Sequence, residues 1–143
     1  MTTLRYLLDT NILSEPVRPK PNSNVIARLE QAKGTVAIAS LVWQEASFGY
    51  YRLPPSNRRQ ILKTYLHEEV KLRIPILPYD TNSAEWFAQE KARLTSLGRM
   101  PADADGQIAG VAAVNNLILV TRNVSDYVHF AELMIENWFD EMI

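Results

Sequence analysis

Short apolar runs alternate along this chain with longer stretches whose apolar residues recur at helical spacing. Residues 4–8 form the first run and end at an acid, Asp9. Residues 36–39 form a second and end at Ser40. Residues 74–77 form a third, which Pro75 weakens or pushes to a sheet edge by removing a ladder donor. Residues 117–120 form a fourth, ending at Thr121, and residues 133–135 a weaker fifth. Between the runs, Val25, Ile26 and Leu29 follow the cap candidates Asn22 and Ser23. Residues 41–51 follow the cap candidate Ser40, and Ile61, Leu62, Tyr65, Leu66 and Val70 share one predicted face. Trp86, Phe87, Glu90 and Leu94 lie in a helical segment beginning near Thr81, and Ile108, Ala109, Ala112 and Ala113 follow Asp103. Strands alternating with helices predict an α/β fold, a central parallel sheet of four to five strands flanked by helices. Ligands of such sheets sit beyond the carboxyl ends of the strands. Residues just after each strand are therefore the first place to look for chemistry.

That expectation gives the acids a pattern. Asp9 follows the first strand directly, and Glu45 lies about one turn into the helix after the second. Asp103 and Asp105 open the helix that leads into the fourth strand, and Asp126 lies five residues beyond Thr121. Carboxylates brought to one sheet edge repel one another, and a divalent cation reverses that logic by taking oxygen ligands. Phosphodiester hydrolysis is the chemistry such a centre suits. Each acid also has a purely structural role open to it. Asp9 and Asp103 stand where N-caps belong, Asp105 favours a helix dipole, and Asp126 is a turn former. Glu45 sits among Leu41, Val42, Trp43, Ala46 and Phe48, so it reads as something other than a free surface charge. The convergence, not any one position, carries the reading.

Composition narrows the alternatives. The 143 residues suit one domain spanning 1–143, with 47% hydrophobic and 22% charged residues. The absence of cysteine excludes disulfides, thiolate catalysis and Cys-ligated zinc. No basic-led apolar segment opens the chain, and no apolar run is long enough to span a membrane, so a cytoplasmic protein is expected. The two histidines, His67 and His129, have no partner at metal-ligand spacing, and Trp43, Trp86 and Trp138 read as core. No Gly-rich phosphate loop, nucleophile elbow or dinucleotide fingerprint is present. A net charge of −1 argues against binding nucleic acid through bulk positive charge, so any RNA contact needs a local basic patch or a metal.

Four segments carry a resemblance. Residues 7–15 (LLDTNILSE), 39–45 (ASLVWQE), 105–109 (DGQIA) and 119–127 (LVTRNVSDY) resemble, in order, the signatures of PIN-domain toxins of the VapC type. They span nearly the whole chain and are specific together, though each is weak alone. The resemblance implies a metal-dependent endoribonuclease, the toxin of a toxin–antitoxin pair, holding Mg²⁺ or Mn²⁺ in an acidic pocket. It implies Asp9, Glu45, Asp105 and Asp126 as the catalytic, metal-binding acids. Some members carry an acid where Asn123 stands here, which leaves the fourth position open between Asp126 and Asn123. Asp103 is an extra acid that assists. Thr10, Asn11 and Thr121 correspond to groups that orient carboxylates. The family also implies a homodimer and a cognate antitoxin that covers the pocket. Arg122, beside the acids, is the best single candidate for either pairing with them or holding RNA phosphate, and Arg52, Arg58, Arg59, Lys63, Lys91, Arg93 and Arg99 are further basic candidates.

Two rival readings stand beside this one. A haloacid-dehalogenase-like phosphatase also opens with an acid after its first strand, but wants a second Asp where Asn11 lies. A non-enzymatic α/β module could use the same acids to hold a structural ion.

Overall fold

Every strand of the predicted alternation forms. The structure is a computed structural model describing residues 3–140, so residues 1–2 and 141–143 of the expected 1–143 domain lie outside the described residues. Strands β1 (Tyr6–Leu8), β2 (Val36–Ala39), β3 (Ile76–Leu77), β4 (Ile118–Val120) and β5 (Ile135–Glu136) make one sheet in the order β3-β2-β1-β4-β5. All four pairings are parallel, with Tyr6 opposite Val36 and Ile118, and Leu119 opposite Ile135. Parallel strands are covered on both faces, which is why β1 and β2 are apolar without alternation and fully buried. Pro75 precedes the edge strand β3, where its carbonyl still accepts from the Ile38 amide at 3.0 Å.

The helices are α1 (Thr10–Leu13), α2 (Ser23–Gln31), α3 (Ser40–Tyr51), α4 (Asn57–Thr64), the short α5 (Lys71–Arg73), α6 (Thr81–Ser96) and α7 (Asp103–Val114). Asn22 caps α2 through the Val25 amide at 3.1 Å, and Asp80 caps α6 through the Ser83 amide at 2.8 Å. Two expected caps differ. Ser40 is the first residue of α3, whose N-cap is Ala39, and Asp103 is the first residue of α7, whose N-cap is Ala102. Neither helix has a side-chain cap, because each starts one residue earlier than its polar residue suggested and the N-cap is an alanine with no side-chain acceptor. The predicted common face from Ile61 to Val70 is also interrupted. A π-helical segment, Tyr65–Val70, widens the turn, so Leu66 and Val70 are buried while Ile61 is exposed.

Two features fix α1 and α7 against the rest. The Tyr65 phenol donates to the Leu13 carbonyl at 2.6 Å, pinning the end of α1; burial, and then Glu69, push that phenol above its ordinary range. On α7, Gly106 and Gly110 face α6 one turn apart. A Cβ at Gly110 would stand 2.7 Å from the Ser83 carbonyl oxygen, and one at Gly106 would overlap the Phe87 ring. Only glycine permits this approach, and it sets the depth of the helix whose first turn carries Asp105.

Candidate active site

Asp9 leaves the carboxyl end of the central strand β1 and is only 6% exposed. Its Oδ1 accepts the Thr10 amide at 2.8 Å, so it does cap α1, as its position suggested. Its Oδ2 accepts from the Thr121 hydroxyl at 2.8 Å, the Tyr127 phenol at 3.3 Å and the Asn11 side-chain amide at 3.4 Å. These donors offset the desolvation of a carboxylate that has no ion pair among the described residues. The cap and the chemical role are thus not alternatives: one oxygen serves the helix while the group as a whole faces the cleft.

Glu45 reaches the same cleft from α3 and accepts the Thr10 hydroxyl at 2.6 Å. It is exposed rather than enclosed by its apolar neighbours: Phe48, one turn on, is exposed too, and of the apolar residues around it only Val42 is fully buried. Asp105, half-buried in the first turn of α7, completes the approach. Burial raises its pKa above the ordinary value, and Asp126, Asp9 and Glu45 raise it further through like-charge repulsion, against a lowering contribution from the Tyr127 hydrogen bond. The cleft measures about 370 Å³ and is lined by Asp9, Thr10, Asn11, Glu45, Asp105 and Asn123, among others.

The remaining expected residues take different places. Thr121 is buried behind Asp9, and its hydroxyl also accepts the Asn123 backbone N–H at 3.0 Å. Asn11 accepts the Arg122 backbone amide at 3.0 Å, tying the β4 loop to α1. Asp126 lies outside the main cleft, in an adjoining depression that it shares with Asp105, close enough to act on the Asp105 charge. Asp103 points away to an exposed ion pair with Lys91 at 2.8 Å. The Arg122 guanidinium lies 4.4 Å from the centre of the Phe139 ring. Three polar lining residues, Ser14, Arg18 and Tyr127, were given no role from the sequence, although Ser14 and Tyr127 fall inside the quoted signatures. Arg18 comes from a proline-rich stretch that reads only as a connection, and Tyr127 reads as one more aromatic beside Asp126. Tyr127 is buried, and burial, followed by the Asp9 and Asp105 charges, drives its phenol far above its ordinary range.

Chemically, the cleft offers hard oxygen donors and little else. Among the described residues, no group of three or more His, Asp or Glu side chains is placed to hold a metal ion. Mg²⁺ typically binds through one or two carboxylates and keeps several waters.

The sequence profile described as PIN domain matches residues 6–131. The chain belongs to the PIN domain family. Among relatives of this PIN domain is the toxin FitB of Neisseria gonorrhoeae, 30% identical over 137 residues, covering 94% of this chain and 99% of FitB. Another is the tRNA(fMet)-specific endonuclease VapC of Shigella flexneri, 30% identical over 136 residues, covering 94% and 98%. The crystal structure of FitAcB from Neisseria gonorrhoeae superposes with a TM-score of 0.86 at 30% identity, covering 94% of this chain and 98% of that one. VapBC from Salmonella typhimurium bound to DNA gives 0.82 at 26% identity, with 94% and 98% covered. The expected α/β PIN-like fold is therefore the observed one. The dehalogenase-like alternative fails, since the position two residues after Asp9 is an amide committed to Asp9 and the Arg122 backbone.

Proposed function

We propose that this PIN domain is a metal-dependent endoribonuclease and the toxin of a toxin–antitoxin pair, with Asp9, Glu45, Asp105 and a fourth group as its catalytic centre. The observation that carries this reading is the convergence of Asp9, Glu45 and Asp105 from three separate segments on one cleft. The names of its relatives, a toxin and a tRNA endonuclease, support the same conclusion. A bound Mg²⁺, or Mn²⁺ in its place, would supply polarisation of the phosphoryl oxygen and activation of water. The chain's own part is to present the carboxylates and fix their direction. Thr121 and Asn11 hold Asp9, and Thr10 holds Glu45. Asp126 can add negative charge beside Asp105, whereas Asn123 lines the cleft itself and offers a neutral amide.

RNA phosphates need cations near this acidic cleft, since the chain as a whole carries a charge of −1. Arg18 stands in its lining. A groove of about 250 Å³ that shares Thr10, Ser14 and Glu45 with the cleft is bordered by Arg52 and Arg58, and Arg58 also donates to the Val17 carbonyl. Arg122 joins this set if its guanidinium leaves the Phe139 ring. Within the same reading, the protein acts in the cytoplasm as a homodimer and is inhibited by a cognate antitoxin that covers the cleft. No helix among the described residues is long and apolar enough to cross a membrane.

The purified protein should cleave RNA when Mg²⁺ or Mn²⁺ is supplied and stop when EDTA is added; full cleavage in chelator would refute the mechanism. Its expression alone should arrest growth, and co-expression of the cognate antitoxin should restore it. Harmless expression of the folded protein would remove the toxin role and leave the nuclease assignment standing.

A further inference from the structure

Tyr127 closes the fourth signature, but none of the roles proposed above is assigned to it. Its side chain is buried to 1% exposure, yet its hydroxyl reaches the cleft. The oxygen lies 3.3 Å from Asp9 Oδ2 and 3.5 Å from Asp105 Oδ1. No other side chain of the described residues bonds both acids. A phenol carries one proton, so it serves one carboxylate fully or both in part. The ring has its own structural duty, packing near Phe130 with centroids 6.3 Å apart, and that duty does not need the hydroxyl.

The hydrogen bonds around the two acids divide their oxygens. Asp9 Oδ2 receives Thr121, Asn11 and Tyr127, whereas Oδ1 receives one backbone amide. Asp105 Oδ1 receives Tyr127. We infer that Tyr127 is a positioning residue: its hydroxyl, within reach of Asp9 Oδ2 and Asp105 Oδ1, holds the two carboxylates in the fixed relation to one another that a divalent cation would use. The inference rests on the reading of this cleft as a metal centre. Its physical basis is preorganisation. Two like charges drift apart unless something holds them, and a shared donor holds them at a cost already met in folding. Thr121 and Asn11 orient Asp9 alone, so they cannot substitute for a link between α7 and the end of β1.

Tyr127→Phe separates the hydroxyl from the ring. The test is Mn²⁺ binding to chelated protein, followed by the electron paramagnetic resonance signal of free Mn²⁺, with circular dichroism reporting the fold. The dissociation constant should rise by about 10–100-fold, the range typical for losing an orienting partner, with the circular dichroism spectrum unchanged. Unchanged or tighter Mn²⁺ binding in the folded variant overturns the inference. A second measurement needs no variant. Mg²⁺ added to the wild type should produce an ultraviolet difference signal in the tyrosine band that saturates together with binding, because the acceptors of the phenol proton change their charge. Saturable binding without that signal also overturns it. A wild type that binds no Mn²⁺ fails the metal-centre reading itself, and the role of Tyr127 falls with it.

Discussion

Asp9→Asn is expected to abolish RNA cleavage while leaving the fold in place. The substitution keeps the size of the side chain and an oxygen able to accept the Thr10 amide, while an amide nitrogen replaces the Oδ2 that accepts from Thr121, Asn11 and Tyr127, so circular dichroism must accompany the assay. The anionic oxygen that a hard cation requires is lost. The cleavage rate at saturating Mg²⁺ should fall by more than about 100-fold, beyond what losing an orienting group costs. Asp126→Asn and Asn123→Ala, measured beside it, resolve the fourth position. If Asp126 supplies charge through the Asp105 side of the cleft, its replacement approaches the Asp9 variant and Asn123→Ala is milder. A wild-type rate for Asp126→Asn with a dead Asn123→Ala would instead place the fourth group inside the main cleft, where Asn123 already stands.

Asp105→Asn is expected to make the metal-free protein more stable while removing its response to metal. The pKa of Asp105 is raised in the folded state, by burial first and then by Asp126 and Asp9. A native state that binds the proton more tightly than the unfolded chain loses stability as pH rises through that window and regains it as pH falls. The window opens above the ordinary aspartate value of 3.8. Neutralising Asp105 therefore raises the melting temperature of chelated protein at neutral pH and flattens its fall with pH. The wild type responds oppositely to cation. Ligand at about a hundred times its dissociation constant stabilises by about 2.7 kcal/mol, or roughly 5–10 °C for a domain of this size. Asp105→Asn should lose most of that shift. A lower melting temperature in chelator, with the metal response intact, would mean that Asp105 serves the fold rather than the cation.

Much of the geometry of the candidate site was legible in the sequence. Asp9, Thr121 and Glu45 owe their positions to strands whose apolar runs are unbroken, and a parallel sheet delivers their carboxyl ends to one edge. Strand β3 formed at the edge for the reason Pro75 gives. What was illegible depends on contacts between distant segments. Tyr127 looks like a core aromatic until the fold sets its hydroxyl between two acids. The exposure of Glu45 depends on which face of α3 packs, and a helix apolar on most sides does not reveal it. The π-helical turn at Tyr65–Val70 breaks the regular period, so Leu66 and Val70 are buried while Ile61 is not, which spacing cannot foresee. Asp103 gave a cap signal as strong as that of Asp9, yet the lysine one helix away took it.

The claim on which all of this depends is that the clustered carboxylates form a cation site. Calorimetric titration of Mn²⁺ into chelated wild type and into Asp9→Asn tests it most directly. Saturable binding in the wild type that disappears in the folded variant is the predicted result. No saturable binding in the wild type, or equal binding in both proteins, would contradict it.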